Sequence, residues 1–352
     1  MRPQWLFTPG PVPMSEDTRQ ILGAQTPYFR TPEFSQVVLE CERLLVALVG
    51  APSGSRAVFL TASGTAAMEA GVINLLGSTD SALVVNGGSF GQRFCDICRC
   101  HGIPHRELRL SGSDPVPYPG TGARALLLNG HETSTGRCYD LDESGAYCRR
   151  HGMLHLVDAI SLFVTDELNM ASQAIDVLVL SSHKGLALAP GLAMVVLAPT
   201  ALAVLKERVP SFYLDFHPYL NDGIRGQTPF TPAVGILLAL LQRLRQIHAE
   251  GVSVHIDKAR ALAAHFRAGI RGLPLRLHAS PAPNAMTALE RTDGGDARDL
   301  VVALKQRHGL VLTPNGGALA ARVFRVSHMG EQRHDRLAAL LVALHAYFNN
   351  PR

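Results

Sequence analysis

Short, uncharged apolar runs recur through the first two-thirds of the chain, at Ala57–Leu60, Ala82–Val85, Ala125–Leu128, Leu154–Val157, Val177–Leu180 and Ala193–Leu197. Such runs, four or five residues long with no polar alternation, predict strands buried on both faces. Between several of them lie stretches with helical spacing, Ala66–Leu76, Phe94–His101 and Asp142–His151. Strand and helix in alternation predict an α/β domain with a mostly parallel sheet sandwiched by helices. Beyond about residue 235 the rhythm changes. Long amphipathic patterns at Val234–Ile247 and Val254–Ile270 precede short strand patterns at Ala285–Glu290 and Arg322–Val326 and a last helical pattern from Arg333 to Phe348. This predicts a smaller α+β C-terminal domain. The expected division is an N-terminal arm at 1–20, a large domain at 21–245 and a small domain at 246–352.

Composition narrows the function classes. The 352 residues are 47% apolar and 18% charged, ordinary for a globular protein. Net charge is only +4 and the Lys and Arg residues are scattered, so neither a nucleic-acid partner nor a membrane surface is expected. Gly185–Leu205 carries no charge over a length that could span a bilayer, but Pro190, Gly191 and Pro199 interrupt it, and a buried strand is expected there instead. No signal-peptide pattern opens the chain, so a cytoplasmic location with six free thiols is expected. Cys95, Cys98 and Cys100 invite a zinc reading, but they fall in a helical stretch with no obvious fourth ligand, and no metal site is expected.

In open α/β sheets, ligands sit at the carboxyl ends of strands. The loops following the apolar runs hold Thr61–Thr65, Asn86–Gly91, Asn129–Gly136, Asp158–Ser161 and Ser181–Gly185. Gly, Ser and Asn favour turns anyway, so each loop alone has a plain structural explanation. Ser63-Gly64-Thr65, joining a strand to a helix, fits either a phosphate site of bare N–H groups and hydroxyls or an ordinary cap. No Walker or dinucleotide fingerprint accompanies it. Asp158 closes a strand, where it would cap a turn or pair with a pyridinium nitrogen. Lys184, after Val177–Leu180, sits in an apolar neighbourhood that lowers an amine's pKa and makes it nucleophilic. A phosphate-type helix start, a strand-end Asp and a strand-end Lys, in that order, form a specific combination.

These residues resemble the class V branch of the fold-type I pyridoxal 5'-phosphate (PLP) aminotransferases, the group of alanine–glyoxylate, serine–pyruvate and 2-aminoethylphosphonate–pyruvate transaminases. The similarity runs from Phe7-Thr8-Pro9-Gly10-Pro11 and Arg30-Thr31-Pro32-Glu33-Phe34 to Phe324–Gly330. It implies that Ser63, Gly64 and Thr65 bind the cofactor phosphate and that Phe90 stacks on the ring. Thr133, within His131–Gly136, would contact the ring 3-oxygen; Asp158 and Ile160 would lie at the pyridine ring, with Asp158 on its nitrogen. Lys184 would carry the cofactor covalently, next to His183, and Arg325 would clamp the substrate carboxylate. Gln227–Pro232 resembles a segment that crosses a homodimer interface, with Thr231 at the partner's phosphate. Departures from the family pattern are Phe29 in place of a frequent His, His183 in place of Gln or Asn, Ser327 in place of Gly, and a short Thr313–Gly317 loop.

The implied activity is ping-pong transamination from a small amino donor of the alanine or serine type to a 2-oxo acid such as glyoxylate or pyruvate. A 2-aminoethylphosphonate donor is the alternative. A cysteine desulfurase would need a nucleophilic Cys after the lysine, yet every cysteine precedes Lys184. A non-catalytic PLP-fold protein is opposed by the intact Asp158, Lys184 and Arg325.

Overall fold

The computed structural model describes residues 4–120 and 122–349. Its centre is a seven-stranded sheet in the order Arg56–Leu60, Ala193–Leu197, Val177–Ser181, Leu154–Asp158, Ala125–Asn129, Ala82–Asn86, His105–Arg109. Ala193–Leu197 runs antiparallel to both neighbours, and the remaining pairs are parallel. The apolar runs are buried on both faces because alternate side chains enter two separate cores. Leu178 and Leu180 point into one, with the helices Pro32–Leu48 and Val234–Glu250, while Val177 and Val179 point into the other, with Gly64–Leu75 and Ser89–Cys100. At ~1.5–3 kcal/mol per fully buried aliphatic side chain, this double burial is what holds the strand ends in register.

The uncharged Gly185–Leu205 stretch resolves into the strand Ala193–Leu197 and the short helix Pro199–Leu202. No helix among the described residues is long and apolar enough to cross a membrane. All six cysteines are free thiols.

The C-terminal region packs helices Val252–Gly269, Ala297–His308 and His334–Asn349 around an antiparallel sheet in the order Leu275–Leu277, Met286–Arg291, Val323–Ser327, Thr313–Pro314. The chain's beginning joins this region: Trp5–Leu6 pairs in parallel with Leu310–Val311, and Phe7 is fully buried in the same core. From there the segment through Pro13 crosses back over the large sheet's strand ends, where the Pro9 carbonyl meets Lys184.

Candidate active site

Each polar loop begins where a buried strand ends, so the sheet's twist and register place their side chains along one edge. Asp158 is the last residue of its strand and pairs in register with Val179 of the neighbouring strand, whose end at Ser181 leads to Lys184. Asp158 is buried and accepts the Ile160 N–H at 2.8 Å. Burial raises its pKa from 3.8 to about 6, opposed by the Ile160 N–H and the Lys184 charge. Lys184 donates from Nζ to the Pro9 carbonyl at 2.5 Å. Burial, then the positive charge of Arg325, lowers its pKa from 10.5 to about 8, with Asp158 pulling the other way. His183 Nδ1 lies 2.9 Å from Ser181 Oγ, and burial, with the Lys184 charge second, lowers its pKa to about 4.

Ser63 caps the helix Gly64–Leu75 by position but makes no side-chain cap hydrogen bond, so the first helical N–H groups are not capped by its hydroxyl. Gly64 is buried against Ile160, and a Cβ there would overlap the Ile160 side chain. Thr65 accepts a hydrogen bond from Arg93 at 2.9 Å, and the Arg93 guanidinium lies 4.7 Å from the centre of the Phe90 ring. Arg93 thus ties together two of the expected residues. It escaped the sequence reading, although its place one helical turn after Phe90 puts both on one face.

Thr133 is buried, and its carbonyl accepts from Arg325 at 3.4 Å. Arg325, in the strand Val323–Ser327, also donates to the Pro314 carbonyl at 3.1 Å, while its Nε has no partner. Burial lowers its pKa, with Glu132 as the opposing charge. Glu132 is a second unanticipated member. Fully buried, it accepts N–H bonds from Phe90 and Gly91 at 3.1 and 3.0 Å, and a hydroxyl bond from Ser134 at 2.5 Å. It therefore fixes the N-terminus of the helix that bears Phe90 and Arg93.

Electrostatics and packing so join Thr65, Phe90, Thr133, Asp158, Ile160, His183, Lys184 and Arg325, with Ser63 and Gly64 at the adjoining helix start. Thr231 is different. It is exposed on the loop before Val234–Glu250, and among the described residues it makes no hydrogen bond to the others.

A part-buried lysine with a depressed pKa, a strand-end carboxylate and an arginine whose Nε has no partner thus lie at one group of strand ends. A family model for aminotransferase class V matches residues 26–330, and the chain belongs to that family, whose members are PLP-dependent enzymes. The chain is 30% identical over 355 residues to the "Soluble hydrogenase, small subunit" of Synechococcus sp. (strain PCC 6716), covering 97% of this chain and 92% of the relative. It is 28% identical to the 2-aminoethylphosphonate–pyruvate transaminase of Salmonella schwarzengrund, with 96% of each covered. The crystal structure of an aspartate aminotransferase of subgroup IV from Thermus thermophilus superimposes with a TM-score of 0.92 at 28% identity, covering 98% of this chain and 99% of that one. The expected fold-type I architecture and class V family are thereby both found.

Proposed function

We propose that this chain is a PLP-dependent transaminase that moves an amino group from a small amino donor of the alanine or serine type to glyoxylate or pyruvate. The observation that carries the reading is the pairing of Lys184 with Asp158 at adjoining strand ends, each shifted towards neutral pH by the same buried environment. The residues fit PLP. Lys184 offers an amine largely unprotonated above pH 8, and Gly10 leaves room for it, since a Cβ on Gly10 would stand 2.6 Å from Nζ. Ser63, Gly64 and Thr65 present hydroxyls and helix N–H groups for a phosphate. Thr133, Ile160 and Phe90 would hold the ring together with Asp158, and His183, hydrogen-bonded to Ser181, would add its imidazole to the cofactor's binding residues.

When bound, PLP supplies an electron sink for the charge that develops at the donor carbon. The protein's residues do the rest. Asp158, ionised above about pH 6, would hold a proton on the ring nitrogen. Phe90, steadied by Arg93, would pack against the ring. Arg325, exchanging its Thr133 and Pro314 carbonyl partners for the donor carboxylate, would set the C–H bond's orientation, and the Lys184 amine would take and return the proton at that carbon. An oxo acid then accepts the amino group in a second half-reaction.

The homodimer belongs to the same proposal: Thr231, exposed on the single chain, would complete the phosphate site of a second copy.

The test is the absorbance spectrum of the purified protein with PLP, before and after L-alanine, L-serine, L-aspartate and 2-aminoethylphosphonate in turn. A visible band that decays with alanine or serine supports the reading. Decay with 2-aminoethylphosphonate alone selects the alternative donor. No band after adding PLP overturns it.

A further inference from the structure

Away from the amine-binding residues, three large-domain side chains converge beside the loop that joins the small domain. His131, Cys138 and Asp166 each direct one ligand atom to a common point, with all three atoms within 4.8 Å of one another. His131 has a completely buried side chain. Its Nδ1 faces the Ser161 carbonyl at 3.2 Å, an acceptor only, so Nδ1 carries the ring proton of a neutral imidazole and Nε2 presents a lone pair. That lone pair has no hydrogen-bond partner and faces Asp166 Oδ2, another acceptor, 3.3 Å away. In that tautomer two acceptors face each other where Nε2 is fully buried and Asp166 partly so, and a proton or a cation between them relieves the repulsion. Cys138 Sγ, the third atom, has only a long 3.8 Å contact to the Tyr139 carbonyl.

We propose that His131 Nε2, Cys138 Sγ and an Asp166 carboxylate oxygen bind a divalent metal ion, zinc by its chemistry. One imidazole, one thiolate and one carboxylate form a donor set suited to Zn²⁺, with the fourth tetrahedral position left to water. Binding releases the Cys138 thiol proton to solvent. The surroundings serve as the outer shell such ligands need. The Ser161 carbonyl orients the imidazole, while the Asn284 N–H at 3.1 Å orients the carboxylate. Arg267, the nearby cation, is engaged by Thr287 and the carbonyls of Pro283 and Met286 instead of Asp166. The ion would be structural. The Cys138 N–H binds the Pro281 carbonyl at 2.8 Å and Asp166 binds Asn284, so the metal would pin the large domain against the loop leading into the small-domain strand Met286–Arg291. The sequence suggested a metal only at Cys95, Cys98 and Cys100, where none was expected; His131, Cys138 and Asp166 are spread over a strand, a hairpin partner and a later turn and carry no spacing signal.

The PLP-loaded protein is stripped with a chelator and then titrated with Zn²⁺ against a chromophoric competitor, and separately with Co²⁺. The expected result is about one tight zinc equivalent per chain and a near-ultraviolet thiolate-to-cobalt band. Zinc raises the thermal midpoint, and Cys138→Ser loses the cobalt band with a tenfold or greater loss of zinc affinity. Asp166→Asn serves as the second variant should Cys138→Ser fold poorly, and it too should weaken zinc tenfold. Absence of both tight zinc and the cobalt band overturns the proposal in favour of a proton bridging His131 and Asp166. Undiminished zinc binding in both variants overturns it as well, placing the metal elsewhere, such as the exposed Cys100.

Discussion

Lys184 Nζ donates a hydrogen bond to the Pro9 carbonyl at 2.5 Å, across 175 residues of sequence. Pro9 and Gly10 follow the strand Trp5–Leu6, which pairs with Leu310–Val311, so the reactive amine is held by a segment anchored on the C-terminal region and not on the seven-stranded sheet. Gly10 has φ +148°, and a Cβ there would meet Nζ, Cε and Cδ of Lys184 at 2.6–2.9 Å. Gly10→Ala should therefore both strain the segment at its positive φ and push the amine aside. The expected loss in kcat/KM is about 10²-fold, from misplacement of about 1 Å, with a lower thermal midpoint reporting the backbone strain. Wild-type turnover in this variant would show that the Pro9 contact does not position the amine.

The Lys184 amine also leaves a mark on stability. Its folded pKa of about 8 lies below the unfolded 10.5, mainly through burial, so the folded protein binds fewer protons between those values. The resulting cost is fully present below about pH 8 and fades as pH rises through 8 towards 10.5. PLP-free Lys184→Met should melt above PLP-free wild type at pH 7, and the gap should close near pH 10. The same substitution should lower kcat at least about 10³-fold. Melting curves across pH, beside stopped-flow turnover of the loaded proteins, check both.

Much of this was legible in the chain because burial on both faces writes a strand as an unbroken apolar run. Val177–Leu180 and Leu154–Val157 could be read that way, and the loops after them followed at once. His105–Arg109 could not: it is an edge strand, exposed along one side, and its charged alternation looks like a loop. Ser63, Asp158, Lys184 and Arg325 stood out through residue type and order. Glu132 and Arg93 did not, since their importance lies in which backbone and side-chain groups they hold, and those lie 28 to 42 residues away. Thr231 was legible only through resemblance, and one chain's structure places no partner beside it.

Asp158 makes the opposite trade to Lys184 in pH. Its folded pKa of about 6 exceeds the unfolded 3.8, so stability is greatest below about pH 3.8 and is lost as pH rises towards 6. Asp158→Asn removes that cost. PLP-free Asp158→Asn should gain on the order of 2–3 kcal/mol at pH 7, while its transamination rate falls about 10²–10⁴-fold. Urea titrations at pH 7 and pH 4 test the sign: the advantage should shrink at the lower pH. A variant both less stable and fully active would refute the role given to this carboxylate.

His183 stands where the family usually carries an amide, and its pKa of about 4 keeps it uncharged at neutral pH. A neutral imidazole and a carboxamide offer the same kind of donor and acceptor. His183→Gln should hold PLP within about threefold of wild type, whereas His183→Ala should weaken it about tenfold. The folded pKa lies below the unfolded 6.5, so wild type should lose stability as pH falls from 6.5 towards 4, and the Gln variant should be spared that loss. Equilibrium dialysis and melting at pH 5 distinguish the cases.

Glu132 is a buried carboxylate with no Lys or Arg ion pair within 4 Å among the described residues, and backbone dipoles supply its compensation. The N–H groups of Phe90 and Gly91 belong to the first turn of Ser89–Cys100, where a negative charge is favoured. Ser134 adds both its N–H at 3.2 Å and its hydroxyl. Glu132→Gln keeps the shape but loses the charge, and turns one acceptor into a donor facing donors. At ~1–3 kcal/mol for each buried group left unsatisfied, the substitution should cost about 2–4 kcal/mol. Because the same helix carries Phe90 and Arg93, the loss should appear as weakened PLP retention along with a lower thermal midpoint. Ser134→Ala removes only the hydroxyl, at about 1 kcal/mol. In the double variant the effects should fall short of their sum, since the groups share one network. Additive losses would mean that Glu132 and Ser134 act independently, and that the carboxylate does not organise the helix start.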